Sequence, residues 1–374
     1  MGETVDLFLE LAALPTPPGQ ERAAADVVLR YLRELGLEPQ EDGTAAAVGS
    51  TAGNVYARLE PTTDGTPIFL CAHLDTVPLA GELRPVVEDG VVRNAGGTIL
   101  GADNKAAVAA MLEGVRRVVA TGRPQAGVEL LFTTKEEVGL LGAMAFDHAR
   151  LRARTGYVYD QGGPIGEIVV GAPWSRSFEV RFHGRAAHAG MFPEEGRSAI
   201  QAAARAIADL RLGRVDDDST ANVGLISGGT AGNVVPEWCT FVAEARSHDE
   251  AKLADLVQEM LDAVAFAASE TECEVDTEVR KSYAGYRLRR DEPAVRLAAA
   301  ALERCGHEVR FTRSGGAADA NVFNERGRRC VNLANAMVDV HTPDERIAVA
   351  DLEAMVDVTV ALIEAASEQR LPEP

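Results

Sequence analysis

Five short segments of the chain carry side chains able to hold a divalent cation or to move a proton. His73 and Asp75 stand two residues apart at the end of the apolar run 67–72. Residues i and i+2 of a strand share a face. An aspartate that holds one imidazole nitrogen leaves the other free for a metal. Asp103 follows the glycine-rich stretch Gly96-Gly97-Thr98-Ile99-Leu100-Gly101-Ala102 and stands at a helix start. Glu136 and Glu137 follow the apolar run 128–133. Adjacent side chains point in different directions, so one carboxylate can bind a metal while its neighbour handles a proton. Asp160 closes Tyr157-Val158-Tyr159, and His341 opens His341-Thr342-Pro343-Asp344-Glu345. Taken singly, each has a bland reading: a surface histidine at a strand end, an aspartate capping a helix, a solvated pair of glutamates. The glycine-rich stretch is no phosphate loop, because GxxxxGK[ST] is absent.

Together the segments have a logic. All fall at candidate strand ends or in the loops after them, and ligands of open α/β sheets bind outside the carboxyl ends of strands. Nitrogen and oxygen donors without cysteine suit zinc, and also manganese or cobalt. In a two-metal site Asp103 would bridge, with His73 and Asp160 on one side and Glu137 and His341 on the other. Three carboxylates against two dications leave one positive charge, which a bridging hydroxide would cancel. Glu136 then remains as the general base.

Composition narrows the partners. The 374 residues hold 37 Lys+Arg against 57 Asp+Glu, a net charge of −20. Such a chain is a poor match for nucleic acid or an anionic membrane surface, both of which select for Lys and Arg. A hydrophobic fraction of 46% with 25% charged residues is that of a globular protein. No apolar run approaches the ~18 residues of a membrane span. The start, Met1-Gly2-Glu3-Thr4-Val5-Asp6, lacks a basic segment and an apolar core of a signal peptide, so a cytoplasmic location is expected. Five widely spaced cysteines without CxxC fit reduced, buried thiols, Cys71 among them as a strand core residue.

The elements that must position these residues alternate. Strands are expected at 54–59, 67–72, 128–133, 156–159 and 167–170, with helices ending at Gly36 and spanning 104–121. Texture changes near Ala172-Pro173-Trp174. From there half-exposed strands at 175–182, 220–226, 240–245 and 274–279 alternate with helices at 197–212 and 250–268. Beyond residue 283 a helix at 293–304, strands at 308–312 and 330–333 and a helix at 351–366 restore the first pattern. The fold class expected is α/β: a central mixed, mostly parallel sheet with flanking helices, residues 1–172 and 284–374, interrupted by a smaller α+β domain, residues 173–283.

In this order and spacing the motifs resemble those of the dinuclear-zinc metallopeptidases that include peptidase T, carboxypeptidase G and the aminoacylases, over nearly the whole chain. The segment Asp160-Gln161-Gly162-Gly163-Pro164-Ile165-Gly166-Glu167-Ile168 is most similar to the peptidase-T-like branch. The resemblance implies two divalent ions, held by His73, Asp103 and Asp160 and by Asp103, Glu137 and His341. It implies that Asp75 orients His73 and that Glu136 is the general base. It makes residues 173–283 a lid that pairs two subunits. Arg185-Ala186-Ala187-His188-Ala189-Gly190 then brings His188 into the active site of the other subunit, where it stabilises an oxyanion. Asn233 and Arg246 match substrate-binding positions, Arg246 as a bidentate clamp for a carboxylate. Gly315 and Gly316 of Ser314-Gly315-Gly316-Ala317-Ala318-Asp319-Ala320-Asn321 are also placed at substrate. A cis peptide between Asp103 and Asn104 is implied too. One departure is Asn335-Ala336-Met337, where a glycine-rich turn is usual in the family.

The activity implied is hydrolysis of an amide bond in a small peptide, by a metal-bridged hydroxide with Glu136 as base. The expected state is a cytoplasmic homodimer. The alternative is removal of the acyl group from an N-acyl amino acid by the same chemistry. A non-catalytic binding homologue is disfavoured by the intact ligand set and Glu136. A nicotinamide-dependent dehydrogenase is excluded because no GxGxxG follows an early strand.

Overall fold

The computed structural model describes residues 2–371. The chain forms two compact units, one from the residues up to Ala172 together with those from Arg287 on, the other Pro173–Tyr286. The first is built on an eight-stranded mixed sheet. Its spatial order is Gln40–Glu41, Val55–Leu59, Val128–Thr133, Ile68–His73, Thr155–Val158, Arg329–Leu333, Glu167–Val169 and Arg310–Thr312. The four strands from Val128–Thr133 to Arg329–Leu333 in that order run parallel, so their carboxyl ends share one edge. Every residue of Ile68–His73, Val128–Thr133 and Thr155–Val158 is buried. Near-continuous apolar runs such as Ile-Phe-Leu-Cys-Ala suit parallel strands covered on both faces.

Helices Ala102–Thr121, Val349–Glu368 and Glu3–Ala12 pack on one another. The first two approach closely at Gly114, where a Cβ would lie 2.5 Å from Thr359 Cγ2. Thr359 in turn donates to Met355 O at 2.8 Å and receives the Tyr159 hydroxyl at 2.9 Å. The chain just before Asp160 is thereby fastened to that helix.

Glu129 is the one charge inside the buried strand Val128–Thr133. Its carboxylate accepts from the Tyr56 hydroxyl at 2.6 Å, Arg58 Nη2 at 2.7 Å and the amides of Arg152 and Ala153 at 3.1 and 2.7 Å. Burial opposes its ionisation, but these donors outweigh burial and hold the carboxyl below its ordinary value. A group depressed in this way stabilises the fold fully above the free glutamate pKa of about 4.3, and the contribution fades as pH falls through the folded value. Glu129→Gln is expected to cost on the order of 3 kcal/mol at neutral pH, the scale of a broken buried ion pair. The gap to wild type should narrow as pH drops below about 4. Urea midpoints for both proteins across that range test this, and a pH-independent gap would contradict it.

Several elements lie outside those the sequence pattern predicts, among them the short strands Gln40–Glu41 and Gly213–Arg214 and the short helices Ala45–Val48 and Leu141–Ala145. Helix Glu3–Ala12 is another. Helix Asp319–Glu325 has seven residues, too few for a periodic signal. The hairpin Pro85–Glu88 and Val91–Asn94, extended by Arg346–Ala348 into a three-stranded sheet, is short and half exposed.

The second unit is a five-stranded antiparallel sheet in the order Gly213–Arg214, Ser219–Gly228, Trp238–Ser247, Trp174–His183, Glu274–Tyr283. Alternate residues Phe178, Val180 and Phe182, with Phe241, Ala243 and Ala245, form its core with Ala202, Ala206, Leu256 and Met260 from helices Ala199–Asp209 and Glu250–Glu270. Among the described residues no helix is long and apolar enough to cross a membrane.

Candidate metal centre

The shared edge of the parallel strands carries the site. His73 is the last residue of its strand and is buried. Its Nδ1 lies 2.9 Å from the carbonyl oxygen of Asp75 and 3.5 Å from Asp75 Oδ1. Its Nε2 faces outward, 3.2 Å from Asp103 Oδ1 and 3.9 Å from Asp160 Oδ1. The Asp75 carboxylate mainly serves the neighbouring strand: it accepts the N–H of Glu136 at 2.9 Å and of Glu137 at 3.1 Å. One aspartate thus ties the end of Ile68–His73 to the turn that carries both glutamates.

That turn is held from several sides. Lys135 adopts a left-handed φ of 55°, and its N–H donates to the buried Glu21 carboxylate at 3.2 Å. Gly142 N–H donates to Thr134 O at 2.9 Å, an approach that a Cβ would block, since it would stand 2.2 Å from that oxygen. Asn54 accepts from Thr134 N–H at 3.2 Å and donates to Gly142 O at 3.0 Å.

Asp103 stands in the first turn of Ala102–Thr121, and the Asp103–Asn104 peptide is cis. Its second oxygen, Oδ2, is 3.2 Å from His341 Nε2, which is also 3.1 Å from Glu137 Oε1. Asp103 therefore presents one oxygen to each imidazole. Asp160 is placed by Asn332, whose Oδ1 accepts its N–H at 2.9 Å and whose Nδ2 donates to its carbonyl at 2.8 Å. The His341 segment is closed by reciprocal backbone bonds between Val338 and Arg346, each 3.1 Å.

Electrostatics match the donor chemistry. Burial, then the Asp160 charge, push the Glu136 carboxyl well above its ordinary value. Burial and Asp103 do the same to Asp160. For Asp103 burial pulls the same way, but the bonds from His341 and His73 outweigh it and hold the carboxyl low. The bonds to Asp103 and Glu137 raise His341 to about 10. The carboxylates of Asp103, Glu136, Glu137 and Asp160 converge on the imidazoles of His73 and His341. His73, Glu136 and Asp160 form one group, and His73, Asp103 and Glu137 another, whose ligand atoms all lie within 4.8 Å of one another. Such a donor set, nitrogen and oxygen with excess negative charge, fits a pair of dications. Glu136 stands as close to His73 and Asp160 as a ligand would, a point the sequence did not raise.

His188, Asn233 and Arg246 belong to the second unit. His188 forms an isolated bridge with Val234, and Ala189 N–H donates to Asn233 O at 3.0 Å, so His188 and Asn233 lie on neighbouring chain segments. His188 is exposed, and its Nδ1 accepts the amides of Gly190 at 3.2 Å and Met191 at 3.1 Å. This leaves the proton of the neutral ring on Nε2, as a hydrogen-bond donor. Arg246 lies between Thr220 and Ser175 across the sheet, with Nη2 2.9 Å from Glu244 Oε2. Gly315 and Gly316 are in the first unit, and a Cβ at either would meet nothing within 4 Å.

Several residues around the centre had no role from sequence. Asp319 is buried behind it, accepting from the Thr133 hydroxyl and, at 3.7 Å, from the Cys71 thiol. Burial raises its carboxyl to about 6. Glu345, Lys105 and Asn332 are also buried. Glu345 looks like an ordinary polar residue of a turn, Lys105 of a helix start and Asn332 of a strand, and no local pattern marks them.

Comparison with known proteins gives the family. Residues 69–365 match the model of the peptidase family M20/M25/M40. The Bacillus subtilis protein YqjE is 36% identical over 361 residues, 96% of this chain and 97% of its own. The crystal structure of aminopeptidase PepT from Bacillus cereus superposes with a TM-score of 0.89 at 38% identity, covering 97% of this chain and 98% of that one. A tripeptidase from Staphylococcus aureus gives 0.92 at 32%, covering 98% of each. With the family model spanning most of the chain and one relative matched nearly end to end, this protein belongs to the peptidase family M20/M25/M40.

Proposed function

We propose that the chain is a metal-dependent peptidase that hydrolyses an amide bond in small peptides, with an aminopeptidase or tripeptidase action. The observation that carries this reading is Asp103, with one oxygen on each of two imidazoles and Glu136 beside them. Likeness to the Bacillus cereus aminopeptidase and the Staphylococcus aureus tripeptidase supports the choice of substrate.

His73, Asp103 and Asp160 would hold one cation, and Asp103, Glu137 and His341 the other, with zinc first in order and manganese or cobalt as alternatives. When bound, the ions lower the pKa of a water molecule and polarise the scissile carbonyl. Glu136 accepts the proton from that water and returns it to the leaving amine. Asp75 keeps Glu136 in place through its amide. In the paired form His188 of one copy would offer Nε2–H to the oxyanion developing at the other copy's centre, and Arg246 and Asn233 would hold the peptide, Arg246 at a carboxylate. Gly315 and Gly316 leave room for the substrate against bare backbone.

The second unit, read as the lid, also pairs two copies in this proposal. Among the described residues, Gly213–Arg214 pairs with Ser219–Gly228 at Thr220 and Ala221, the N–H groups of Val215 and Asp216 reach Ser219 O, and no strand pairs along that edge from Asn222 on. Leu225 and Ile226 on it are 68% and 55% exposed. An open edge with apolar side chains suits a two-fold pairing with a second copy. A cytoplasmic location completes the reading.

A panel of tripeptides, dipeptides and N-acetyl amino acids, run on zinc-, manganese- and cobalt-loaded protein, tests it. Tripeptides or dipeptides with a free amino terminus should turn over fastest. Preference for N-acetyl amino acids would replace the peptidase reading with deacylation.

A further inference from the structure

Glu345 lies four residues beyond His341, in a turn whose other acids, Asp339 and Asp344, are exposed. Glu345 instead points inward and is 1% exposed. Its Oε2 accepts the N–H of Gly101 at 2.8 Å, and its Oε1 the N–H of Asp103 at 3.0 Å. These two amides open helix Ala102–Thr121, whose cap residue is Gly101, left-handed at φ 76° and without a side chain to offer. A helix start needs acceptors for its first N–H groups and favours negative charge there. Here the acceptor comes from a residue 244 positions away. Lys105, also buried, faces the same carboxylate electrostatically, and its Nζ is fixed on Leu14 O at 2.6 Å. The far end of the turn is anchored as well. Arg346 pairs with Arg93 and Ile347 with Val92 in the three-stranded sheet.

His341 and Asp103 approach one another from these two segments, 3.2 Å apart. Between them the only direct covalent route is the whole intervening chain. We propose that Glu345 is a positioning residue: its carboxylate locks the His341 turn to the start of the Asp103 helix and so sets the spacing of the ligands that the two segments contribute. This rests on the two-cation reading given above. It adds a residue that touches neither substrate nor ion.

The carboxylate is needed as two acceptors. In Glu345→Gln one oxygen remains, and the amide NH2 is turned against the N–H of Gly101 or Asp103. Volume is unchanged, so a role in filling space would survive the substitution. Partners that orient metal ligands typically govern affinity by about 10–100-fold.

The test compares wild type, Glu345→Gln and, as a control in the same turn, Asp344→Asn, all stripped of metal. Zn2+ is titrated against a chromophoric chelator, and circular dichroism checks the fold. The expected result is two ions bound by wild type and by Asp344→Asn, with a loss of about 10–100-fold in Zn2+ affinity for Glu345→Gln. A folded Glu345→Gln protein with wild-type affinity overturns the proposal. Wild type that binds no Zn2+ overturns the two-cation reading itself, which is a different outcome. If Glu345→Gln does not fold, amide exchange in the zinc-loaded wild type decides. Gly101 and Asp103 amides exchanging at least ~100-fold slower than free peptide support the lock, and unprotected amides overturn it.

Discussion

A Glu136→Gln variant is expected to keep its metals and its KM and to lose about 10²–10⁴-fold in kcat, the usual scale for a positioned acid–base group. The residue is 8% exposed, and its backbone N–H is pinned by Asp75 at 2.9 Å. Glutamine preserves that bond and the volume, and removes only the capacity to take a proton. Burial and Asp160 raise the affinity of this carboxyl for a proton. The variant also resolves the ambiguity in the geometry. Glu136 sits with His73 and Asp160 within 4.8 Å, close enough to be a ligand. If Glu136 moves protons, metal content measured by atomic absorption stays at the wild-type value while turnover collapses. If it is a ligand, metal content falls with turnover. Full activity in the variant would remove Glu136 from the chemistry altogether.

The central strands were legible because burial on both faces demands unbroken apolar runs, and Ile68–His73 and Val128–Thr133 are such runs. The chemistry-bearing residues were legible by type and order, since His73, Asp103, Glu136, Glu137, Asp160 and His341 are the ones that the strand ends and loops bring together. What supports them was not. Asp75 stands in a readable His-x-Asp pair, yet its carboxylate chiefly holds the amides of Glu136 and Glu137, an interaction across 61 residues. Asn332 grips Asp160 from 172 residues away, and Glu345 reaches Gly101 over a still longer span. Asp75 and Glu345 stand in loops and Asn332 inside the strand Arg329–Leu333, and nothing local to any of them names its partner, which only the assembled fold supplies. The hairpin Pro85–Glu88 and Val91–Asn94 escaped for a related reason: it is four residues a side and gains its third strand from Arg346–Ala348.

Removing the cations is expected to abolish turnover and to lower the melting temperature by on the order of 10 °C, both reversed by zinc, manganese or cobalt. The centre packs the carboxylates of Asp103, Glu136, Glu137 and Asp160 around two imidazoles, with Asp75 and Asp319 buried behind. Cations that bind only this folded arrangement stabilise it by mass action, about 4 kcal/mol each at a thousand times Kd. For 374 residues, at about 2.1 cal/mol/K of unfolding entropy per residue, a kcal/mol is worth roughly 1.3 °C, so two ions give on the order of 10 °C. Turnover that survives dialysis against chelator, with bound metal below detection, would end the metal-dependent reading. Single substitutions then separate the two positions. Asp103 faces both His73 and His341, so Asp103→Asn should weaken both ions and resemble the chelated protein in melting temperature. Among the described residues His341 pairs with Asp103 and Glu137 and not with His73's other partner Asp160, so His341→Ala should leave one ion bound and about half the stabilisation in place. Equal losses in the two variants would mean that the cations do not divide between His73 and His341 as the geometry of Asp103 suggests.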